Sequence, residues 1–296
     1  MKIVLLGKDG QVGHELQRTL LPLGQLVALG RNKANLQELT GLKNVLHAHK
    51  PDIIVNAAAY TAVDKAESDE ATANQINAEA VKVLADYALQ ANTLLVHYST
   101  DYVFDGQKSG AYLETDDTCP QSAYGRSKRG GEEAILNSGC NALVFRTSWV
   151  FSTYGGNFVK TILRLAGERD SLNIVADQIG APTSAELIAD VTALAIAGYR
   201  NNSIANGIFH LTAAGETSWH GLASHVLQQA LANGADLMLK PGQLHPIATE
   251  EYPLPAKRPK NSRLNTGKLS AALGLQLPDW TIHVDRAVNQ LTCREP

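Results

Sequence analysis

A tyrosine and a lysine stand four positions apart in the segment YGRSK, as Tyr124 and Lys128. Residues at i and i+4 share one face of a helix, so a helix here would place the phenol beside the amine. A free phenol has a pKa of about 10, whereas a neighbouring ammonium favours the phenolate and lowers that pKa. Tyr124 can then donate a proton to a carbonyl oxygen, and Lys128 can tune it.

Two hydroxyl side chains, Ser99 and Thr100, come before this pair in the segment STDYVFDG. Ser99 ends the apolar run 93–99, which predicts a buried strand, and Thr100 follows it. Ligands bind at the carboxyl edge of parallel sheets, and a hydroxyl there would complete the site of Tyr124. A lone Tyr-x-x-x-Lys pair is common by chance, but here it follows, in order, the glycine-rich turn GKDGQVG (7–13) and these hydroxyls, and the three features together indicate catalysis.

A glycine-rich turn opens the chain, with the sequence GKDGQVG at 7–13. It follows the predicted strand 2–6 and begins the predicted helix 11–21, which is the context of a dinucleotide-binding turn. Free N–H groups and the partial positive charge of a helix N-terminus suit a pyrophosphate. The alternative is a strand–helix turn without a ligand. The predicted cofactor-binding residues of this turn are Gly7, Gly10, Gln11, Val12 and Gly13.

The end of the second predicted strand, 25–29, reads LGRN and contains no carboxylate. NAD-dependent proteins use an acid at this position to bind the ribose 2′-hydroxyl. Arg31 can instead bind a 2′-phosphate through charge-assisted hydrogen bonds. The sequence therefore favours NADPH over NADH, although NADH remains possible if Arg31 only points to solvent.

Apolar runs of strand length alternate with amphipathic segments through the first half of the chain. This alternation predicts an α/β fold with a Rossmann-type, doubly wound parallel sheet. We predict a cofactor-binding domain at 1–150 with returning segments from 170–215, and a smaller C-terminal α/β region at 151–296 that binds the substrate. Strands are predicted at 2–6, 25–29, 52–58, 93–99, 141–150 and 207–213, and helices at 11–21, 35–49, 70–92, 122–139, 156–169 and 185–200. Residues 244–266, with four prolines, are predicted to form a long functional loop.

Composition argues against several classes of partner and bound group. A formal net charge of -3 argues against nucleic acid as a partner, and no run of about 18 apolar residues predicts a membrane span. The three cysteines, Cys119, Cys140 and Cys293, are scattered and form no CxxC pair, which argues against a disulfide framework or a zinc site. We therefore expect a cytoplasmic protein.

Several other side chains have ordinary structural explanations. His97 lies in a buried strand, where a hydrogen-bonded core histidine is expected. Trp219 and Trp280 are assigned to packing. Asp64, with Lys65 and Glu67, is expected to form a local surface ion network of little energetic value.

Seven segments along nearly the whole chain carry a family resemblance: GKDGQVG (7–13), PDIIVNAAAYTAVDKAE (51–67), HYSTDYVFDG (97–106), YGRSK (124–128), FRTSWVF (145–151), DQIGAPT (177–183) and RPKNSRLNT (258–266). With them the chain resembles the extended short-chain dehydrogenase/reductases and, more narrowly, the dTDP-4-dehydrorhamnose reductases. The glycine turn and the Tyr–Lys pair occur throughout the superfamily. The segments STDYVFDG, RTSWVF and RP-x-NS-x-L are much narrower.

The resemblance implies roles for individual residues. Thr100, Tyr124 and Lys128 would be the catalytic group, and the last two would also contact the cofactor. Asn35 departs from the acid that the family often has near adenine. The remaining implied cofactor contacts are Arg31, Asn35, Leu36, Ala57, Ala58 and Ala59. The implied substrate contacts are Ser99, Thr100, Asp101, Tyr102, Trp149, Arg258 and Asn261, of which Arg258 would suit the diphosphate.

The implied reaction is the NADPH-dependent reduction of the 4-keto group of dTDP-4-dehydro-L-rhamnose to dTDP-L-rhamnose. The resemblance also implies a possible homodimer. Some family members bind Mg²⁺ at a dimer interface, but no cluster of oxygen ligands in the sequence establishes such a site. Two alternatives stay open: another nucleotide-sugar reductase or epimerase, and a non-catalytic regulatory subunit of the methionine adenosyltransferase type.

Overall fold

The computed structural model describes residues 1–292, and it contains twelve strands in that range. The strands are β1 (Lys2–Leu6), β2 (Gln25–Leu29), β3 (Ile53–Asn56), β4 (Leu94–Thr100), β5 (Ala142–Thr147), β6 (Val150–Phe151), β7 (Leu172–Val175), β8 (Ile179–Gly180), β9 (Thr183–Ser184), β10 (Gly207–His210), β11 (Thr217–Ser218) and β12 (Leu244–Ile247).

Eleven α-helices lie between and after these strands within the same range. The helices are α1 (Gln11–Leu20), α2 (Leu39–His49), α3 (Val63–Ala66), α4 (Glu70–Asn74), α5 (Ala80–Ala91), α6 (Ala123–Ser138), α7 (Phe158–Glu168), α8 (Ala185–Arg200), α9 (Trp219–Ala232), α10 (Gly267–Leu273) and α11 (Trp280–Thr292). None of these helices is both long and apolar enough to cross a membrane.

Six strands form one parallel sheet in the order β10-β5-β4-β3-β1-β2. The chain leaves β1 toward one edge to form β2 and then returns across β1 to form β3. The order therefore reverses between β1 and β3, and open α/β sheets bind ligands at the carboxyl ends of the strands beside such a point. This arrangement confirms the predicted α/β fold.

Helices cover both faces of the sheet because the side chains of each strand alternate between them. On one face, Ile3 of β1 shares a core with Leu16 of α1 and Ile188 of α8. On the other face, Val4 shares a core with Leu42 of α2, and α5 and α6 contribute to the same core. The segment from α8 to β10 thus returns to the sheet.

The C-terminal region adds three short strand pairs to this frame. β7 pairs in parallel with β12, β6 in parallel with β9, and β8 antiparallel with β11. Its apolar side chains join the core on the α1 face of the sheet, where Val226 of α9 and Val284 of α11 are buried in the same cluster as Phe145. The two parts of the chain therefore share one continuous core.

Three element predictions need correction. Helix α2 begins at Leu39 rather than 35, because the Asn35 side chain accepts a hydrogen bond from the Gln37 N–H and holds a turn. The predicted helix 70–92 contains a π-helical segment at Gln75–Glu79, where the buried Asn77 side chain bonds to the backbone of Tyr60. The predicted loop 244–266 begins with a strand, β12.

Candidate active site

The glycine turn lies at the reversal point of the sheet, immediately after β1. Gly7 has a φ of 80°, and a Cβ there would lie 2.6 Å from the Ala58 nitrogen, so the turn and the end of β3 are in close contact. A Cβ on Gly13 would collide with the Gly7 carbonyl oxygen. Gly10 is the N-cap residue of α1 and has no side chain. The first N–H groups of this helix therefore have no side-chain cap and can bind an anion.

A loop from the C-terminal region covers the start of α1. The Asn157 side chain donates a hydrogen bond of 2.9 Å to the Gln11 side-chain oxygen. The Tyr154 ring stacks on His14 at a centroid distance of 4.0 Å. Gln11 therefore contacts a second element here, while Val12 packs against the core beneath.

The other predicted cofactor residues lie near the ends of β2 and β3. Arg31 is exposed, and its guanidinium donates a hydrogen bond of 2.6 Å to the Gln37 side chain. Leu36 is buried, whereas Asn35 is half-buried. The Leu29 carbonyl accepts from the Gly7 N–H at 3.0 Å, which joins the end of β2 to the glycine turn. The half-buried alanines that follow β3 are Ala57, Ala58 and Ala59.

Helix α6 places Tyr124 and Lys128 on one face, as the spacing predicts. The Ser122 hydroxyl caps this helix by accepting from the Gly125 N–H at 3.1 Å. Lys128 is only 2% exposed, and its side-chain nitrogen donates a 2.6 Å hydrogen bond to the Tyr98 carbonyl oxygen. Burial lowers the pKa of Lys128 to about 8, and the nearby Glu132 carboxylate opposes that shift.

The electrostatics of Tyr124 differ from the expectation drawn from the spacing. Burial raises the pKa of its phenol, and hydrogen bonding to Thr100 opposes the rise only in part. Lys128 is not among the groups that shift this pKa. Tyr124 is therefore a protonated phenol at neutral pH, which is the form that can give a proton to a substrate oxygen.

The segment after β4 supplies further polar groups beside Tyr124. The Thr100 hydroxyl donates to the Asp101 carboxylate at 3.0 Å and accepts from the Tyr102 N–H at 3.2 Å. Asp101 is buried, and burial raises its pKa to about 6. Among residues 1–292, one Asp101 carboxylate oxygen and the buried Ser99 hydroxyl have no hydrogen-bond partner.

An arginine from the C-terminal loop reaches this group of residues. The Arg258 guanidinium donates to the Tyr102 phenol at 3.1 Å and to the Asp64 carboxylate at 2.7 Å. The Tyr102 ring meets the Tyr124 ring edge to face at a centroid distance of 5.6 Å. Arg258 thus connects the predicted substrate loop to Tyr102, whose ring touches that of Tyr124.

A cleft of about 1500 Å³ extends from Asp64 and Arg258 into the C-terminal region. Apolar side chains of α7, β7 and β12 form one wall, including Phe158, Ile162 and Ile174. Charged side chains also line the cleft: the basic ones are Lys108, Arg169, Arg258, Lys260 and Arg263, and the acidic ones are Asp64, Asp105, Glu250 and Glu251. A cleft that combines an apolar wall with arginine side chains suits a ligand that joins a ring system to a diphosphate.

Comparison with known proteins identifies the family. The family profile described as "RmlD substrate binding domain" matches residues 1–293. A dTDP-4-dehydrorhamnose reductase of Burkholderia thailandensis is 50% identical to this chain over 295 residues, which is 98% of this chain and 99% of the relative. The chain belongs to the dTDP-4-dehydrorhamnose reductase family.

Other relatives agree with this assignment. The dTDP-4-dehydrorhamnose reductase of Escherichia coli K12 is 46% identical, with 98% of each chain covered. A crystal structure of the corresponding protein from Clostridium acetobutylicum superposes with a TM-score of 0.91 at 33% identity, over 99% of this chain and all of that one. The reductase of Bacillus anthracis, solved in complex with NADP, has a TM-score of 0.87 at 31% identity, over 98% of this chain and 99% of that one.

In this member of the dTDP-4-dehydrorhamnose reductase family, Trp149 occupies an enclosed position. It has a φ of 48°, a left-handed conformation that bulky residues rarely adopt. Its ring stacks on Trp219 at 3.6 Å, and a Cβ on Gly180 would lie 2.8 Å from it. Trp219 itself donates to the Gln178 side chain at 3.1 Å and lines the cleft. Trp219 therefore packs, as predicted, but it does so in the wall of the cleft.

Asn261 is placed differently from the other predicted substrate contacts. Its amide donates to the carbonyls of Lys108 at 2.6 Å and Gly110 at 2.8 Å, and its oxygen accepts from Arg263. These bonds tie the C-terminal loop to the loop that follows β4. The side chain of Asn261 lines the cleft, but its polar atoms already have partners.

The expected local ion network around Asp64 is wrong. Asp64 pairs with Arg258, far along the chain, and Glu67 accepts a hydrogen bond of 2.8 Å from the Ala123 N–H at the start of α6. Both acids thus support the site. Both acids lie in the segment 51–67 that carries the family resemblance, and this position could have indicated a role beyond a surface ion network.

A buried ion pair lies on α6 one turn beyond Lys128, and the sequence analysis did not find it. Glu132 and Arg146 form two hydrogen bonds of 2.8 and 2.7 Å and are almost fully buried. A buried pair of this kind fixes α6 to β5, because separating it would leave an uncompensated charge.

No group of three or more metal-ligating side chains occurs among residues 1–292. Magnesium binding, which the family resemblance made possible, therefore has no support from the described part of the chain. Within the same range Cys119 is exposed and Cys140 buried, both as free thiols, while Cys293 lies outside the described residues.

Proposed function

We propose that this protein reduces the 4-keto group of dTDP-4-dehydro-L-rhamnose to dTDP-L-rhamnose with NADPH. One observation carries the proposal: a protonated Tyr124 phenol, with Thr100 and Lys128, at the edge of the sheet where the glycine turn opens. The relatives from Burkholderia thailandensis and Escherichia coli K12 bear the name of this reaction, which supports the proposal.

Each residue of the group has a distinct task in the proposed reaction. NADPH, when bound, supplies the hydride that forms the new C–H bond at sugar C4. Tyr124 gives its proton to the former keto oxygen, so the product is a neutral alcohol and the cofactor leaves as NADP⁺. Thr100 orients the keto oxygen through its hydroxyl. Lys128, one helical turn after Tyr124 on α6, would contact the nicotinamide ribose.

NADPH is favoured over NADH by Arg31, whose exposed guanidinium stands after β2, where a 2′-phosphate would lie. A related reductase from Bacillus anthracis was solved with NADP, which supports the same preference. The proposed cofactor site comprises Gly7, Gly10, Gln11, Val12, Gly13, Arg31, Asn35, Leu36, Ala57, Ala58, Ala59, Tyr124 and Lys128.

The proposed substrate site combines the segment after β4 with the C-terminal loop. Arg258 is suited to the diphosphate, and the cleft beyond it is suited to the nucleoside. We propose that residues 1–150, with returning segments from 170–215, bind the cofactor and that 151–296 mainly hold the sugar nucleotide. The proposed substrate contacts are Ser99, Thr100, Asp101, Tyr102, Trp149, Arg258 and Asn261.

Two further features stay predictions. A cytoplasmic location rests on the scattered cysteines and the absence of an apolar run in the sequence. A homodimer rests on family resemblance, and its test is the molecular mass in solution by light scattering.

The experiment measures NADPH oxidation with dTDP-4-dehydro-L-rhamnose generated in situ, comparing wild type, Tyr124→Phe and Tyr199→Phe. Tyr199 is a half-buried tyrosine of α8 and serves as the matched control. We expect turnover by wild type and by the control, and a loss of about 10²- to 10⁴-fold in Tyr124→Phe. NADPH binding without turnover by wild type would contradict the proposal and favour another sugar nucleotide or a regulatory subunit.

A further inference from the structure

Asp9 belongs to the glycine turn, and the proposed cofactor site leaves it without a role. The N–H groups of Gly7 and Lys8 both donate to the Leu29 carbonyl oxygen, at 3.0 and 3.3 Å. These two bonds hold the turn against the end of β2, where the chain continues into Gly30. Asp9 therefore lies beside the strand end whose sequence, LGRN, contains no carboxylate.

The Asp9 carboxylate fills the space in which a side chain at position 30 would begin. A Cβ on Gly30 would collide with the Asp9 Oδ2 atom, and the Asn32 side-chain oxygen would follow at 3.5 Å. Gly30 is buried, whereas the Asp9 side chain is 60% exposed and open to a ligand. The end of β2 thus has a carboxylate beside it in space, although the sequence places that acid in the preceding turn.

A carboxylate at this point suits one kind of ribose. In dinucleotide-binding folds an acid at the end of the second strand binds the ribose 2′-hydroxyl of NAD. A carboxylate accepts a hydrogen bond from a hydroxyl but has no proton to give to a phosphate oxygen. A 2′-phosphate would also bring a second negative charge close to the first, which costs free energy. The position of Asp9 therefore favours a ribose with a free 2′-hydroxyl.

Asp9 and Arg31 are held by different partners. The Lys8 ammonium donates to the Asp9 Oδ1 atom at 2.8 Å, which leaves Oδ2 as the oxygen beside Gly30. The Arg31 guanidinium donates to the Gln37 side chain. Lys8 and Asp9 are both more than one third exposed, so water screens their pair and Lys8 offsets the carboxylate charge only in part. The strand end therefore carries a separate acid and a separate base.

We propose that Asp9 is a specificity-determining residue whose carboxylate accepts a hydrogen bond from the ribose 2′-hydroxyl of NADH and opposes the 2′-phosphate of NADPH. The inference rests on the cofactor site of the proposed function. Arg31 favours NADPH and Asp9 favours NADH, so the two residues act in opposite directions and the protein binds both cofactors. The difference between their two effects sets the preference.

The first test measures the affinity for each dinucleotide without turnover. Titration calorimetry gives Kd for NADP⁺ and NAD⁺ in wild type and in Asp9→Asn, which keeps the shape of the side chain and removes its charge. Hydrogen bonds to charged groups are stronger than neutral ones, so Kd for NAD⁺ should rise, and Kd for NADP⁺ should fall as the repulsion is removed. We expect the ratio of the NADP⁺ Kd to the NAD⁺ Kd to fall about tenfold. An unchanged ratio overturns the proposal.

The second test moves the carboxylate to position 30. Asp9→Ala removes the acceptor, so Kd for NAD⁺ should rise about tenfold. The same substitution clears the space beside Gly30, whose φ lies outside the left-handed region, so an aspartate can stand there. The double variant Asp9→Ala, Gly30→Asp should therefore bind NAD⁺ more tightly than Asp9→Ala alone. A double variant that binds NAD⁺ no better than Asp9→Ala contradicts the proposal.

Asp236→Asn is the matched control, because Asp236 is an exposed aspartate that follows α9 in the C-terminal region. It changes the net charge by the same amount as Asp9→Asn does. We expect its ratio of the two Kd values to equal that of wild type. A fall as large as that in Asp9→Asn would overturn a specific role for Asp9.

The proposed function and this inference fail in different ways. Absent turnover by wild type, with a ratio that still falls in Asp9→Asn, would contradict the reaction and support the role of Asp9. Turnover by wild type with an unchanged ratio would support the reaction and contradict the role of Asp9. If neither dinucleotide binds to wild type, both proposals are wrong.

Discussion

The proton chemistry at single residues depends on burial more than on sequence spacing. Tyr124 and Lys128 lie four positions apart, and burial disfavours the charged form of both. It therefore raises the pKa of Tyr124 and lowers the pKa of Lys128. The same cause raises the pKa of Asp101, which sits beside Thr100. Burial at this part of the sheet edge therefore shifts all three pKa values toward the neutral form of each group.

Asp101→Asn should stabilise the protein near neutral pH. The folded-state pKa of Asp101 is about 6, above the ordinary 3.8, so the folded state binds more protons than the unfolded state between those values. Stability contributed by the protonated carboxyl is therefore lost as pH rises from about 4 to 6. At pH 7 the asparagine should add about 2 to 3 kcal/mol to the free energy of unfolding.

Urea unfolding of wild type and Asp101→Asn at pH 4 and pH 7 measures this effect. The difference between the two proteins should be small at pH 4 and large at pH 7. A difference that does not depend on pH would show that the carboxyl is not destabilised by burial. Activity is expected to fall, because Asp101 is a proposed substrate contact.

Arg31→Ala should raise KM for NADPH about tenfold or more and leave KM for NADH nearly unchanged. A charge-assisted hydrogen bond to a phosphate contributes about 1.5 to 3 kcal/mol to binding. NADH has no 2′-phosphate, so the substitution removes no such bond from it. Lys33→Ala is the control, since Lys33 is an exposed cation two residues away. Equal effects on both cofactors would sink the assignment of Arg31.

At the scale of elements, contacts between distant segments complete the site. The start of α6 is capped by Ser122 and also by Glu67, which comes from the segment after β3. Arg258 of the C-terminal loop bonds to Asp64, which comes from the segment after β3. The glycine turn allows α1 to pack closely against the end of β1.

Gly13→Ala should destabilise the protein and weaken NADPH binding. The new Cβ would collide with the Gly7 carbonyl oxygen, so α1 must move away from the turn that we propose binds the pyrophosphate. We expect a loss of about 1 to 3 kcal/mol in the free energy of unfolding, as for other overpacked positions, and a raised Kd for NADPH.

Gly167→Ala is the matched control for this substitution. Gly167 lies in α7, and no atom of the described residues 1–292 lies within 4 Å of the position that its Cβ would take. A helical alanine in open space should stabilise the protein by about 0.4 to 1 kcal/mol and leave NADPH affinity unchanged. Equal effects of the two alanines on NADPH affinity, measured by titration calorimetry, would contradict the role of Gly13.

At the scale of the whole molecule, the cofactor and substrate parts share one core. Side chains of β1, α1, α8, α9 and α11 belong to a single buried cluster. The outer strand of the sheet, β10, comes from beyond residue 200 and pairs with β5. Each proposed part therefore completes the packing of the other.

The protein should unfold in one cooperative transition, because its parts share that core. Differential scanning calorimetry should give a calorimetric enthalpy equal to the van't Hoff enthalpy. NADPH at a hundred times its Kd should add about 2.7 kcal/mol to the stability of the whole molecule. Two resolved transitions, of which NADPH shifts only one, would instead indicate independent domains.

The sequence by itself determined the fold class, the glycine turn and the pairing of Tyr124 with Lys128. These features depend on local periodicity and on the conformational freedom of glycine, which act over a few residues. The family assignment is also confirmed, because the segments that carry it run along nearly the whole chain.

Only the tertiary structure decided which groups surround those residues. Arg258 meets Asp64 across 194 positions, and the Trp149–Trp219 stack and the Asn56–His97–Lys128 contacts join elements that are not neighbours in sequence. Burial depends on how many elements cover a side chain, so the pKa directions of Tyr124 and Lys128 could not be deduced from spacing. Sequence spacing along a helix or strand places residues on one face, whereas burial by the surrounding elements shifts the pKa values of those residues.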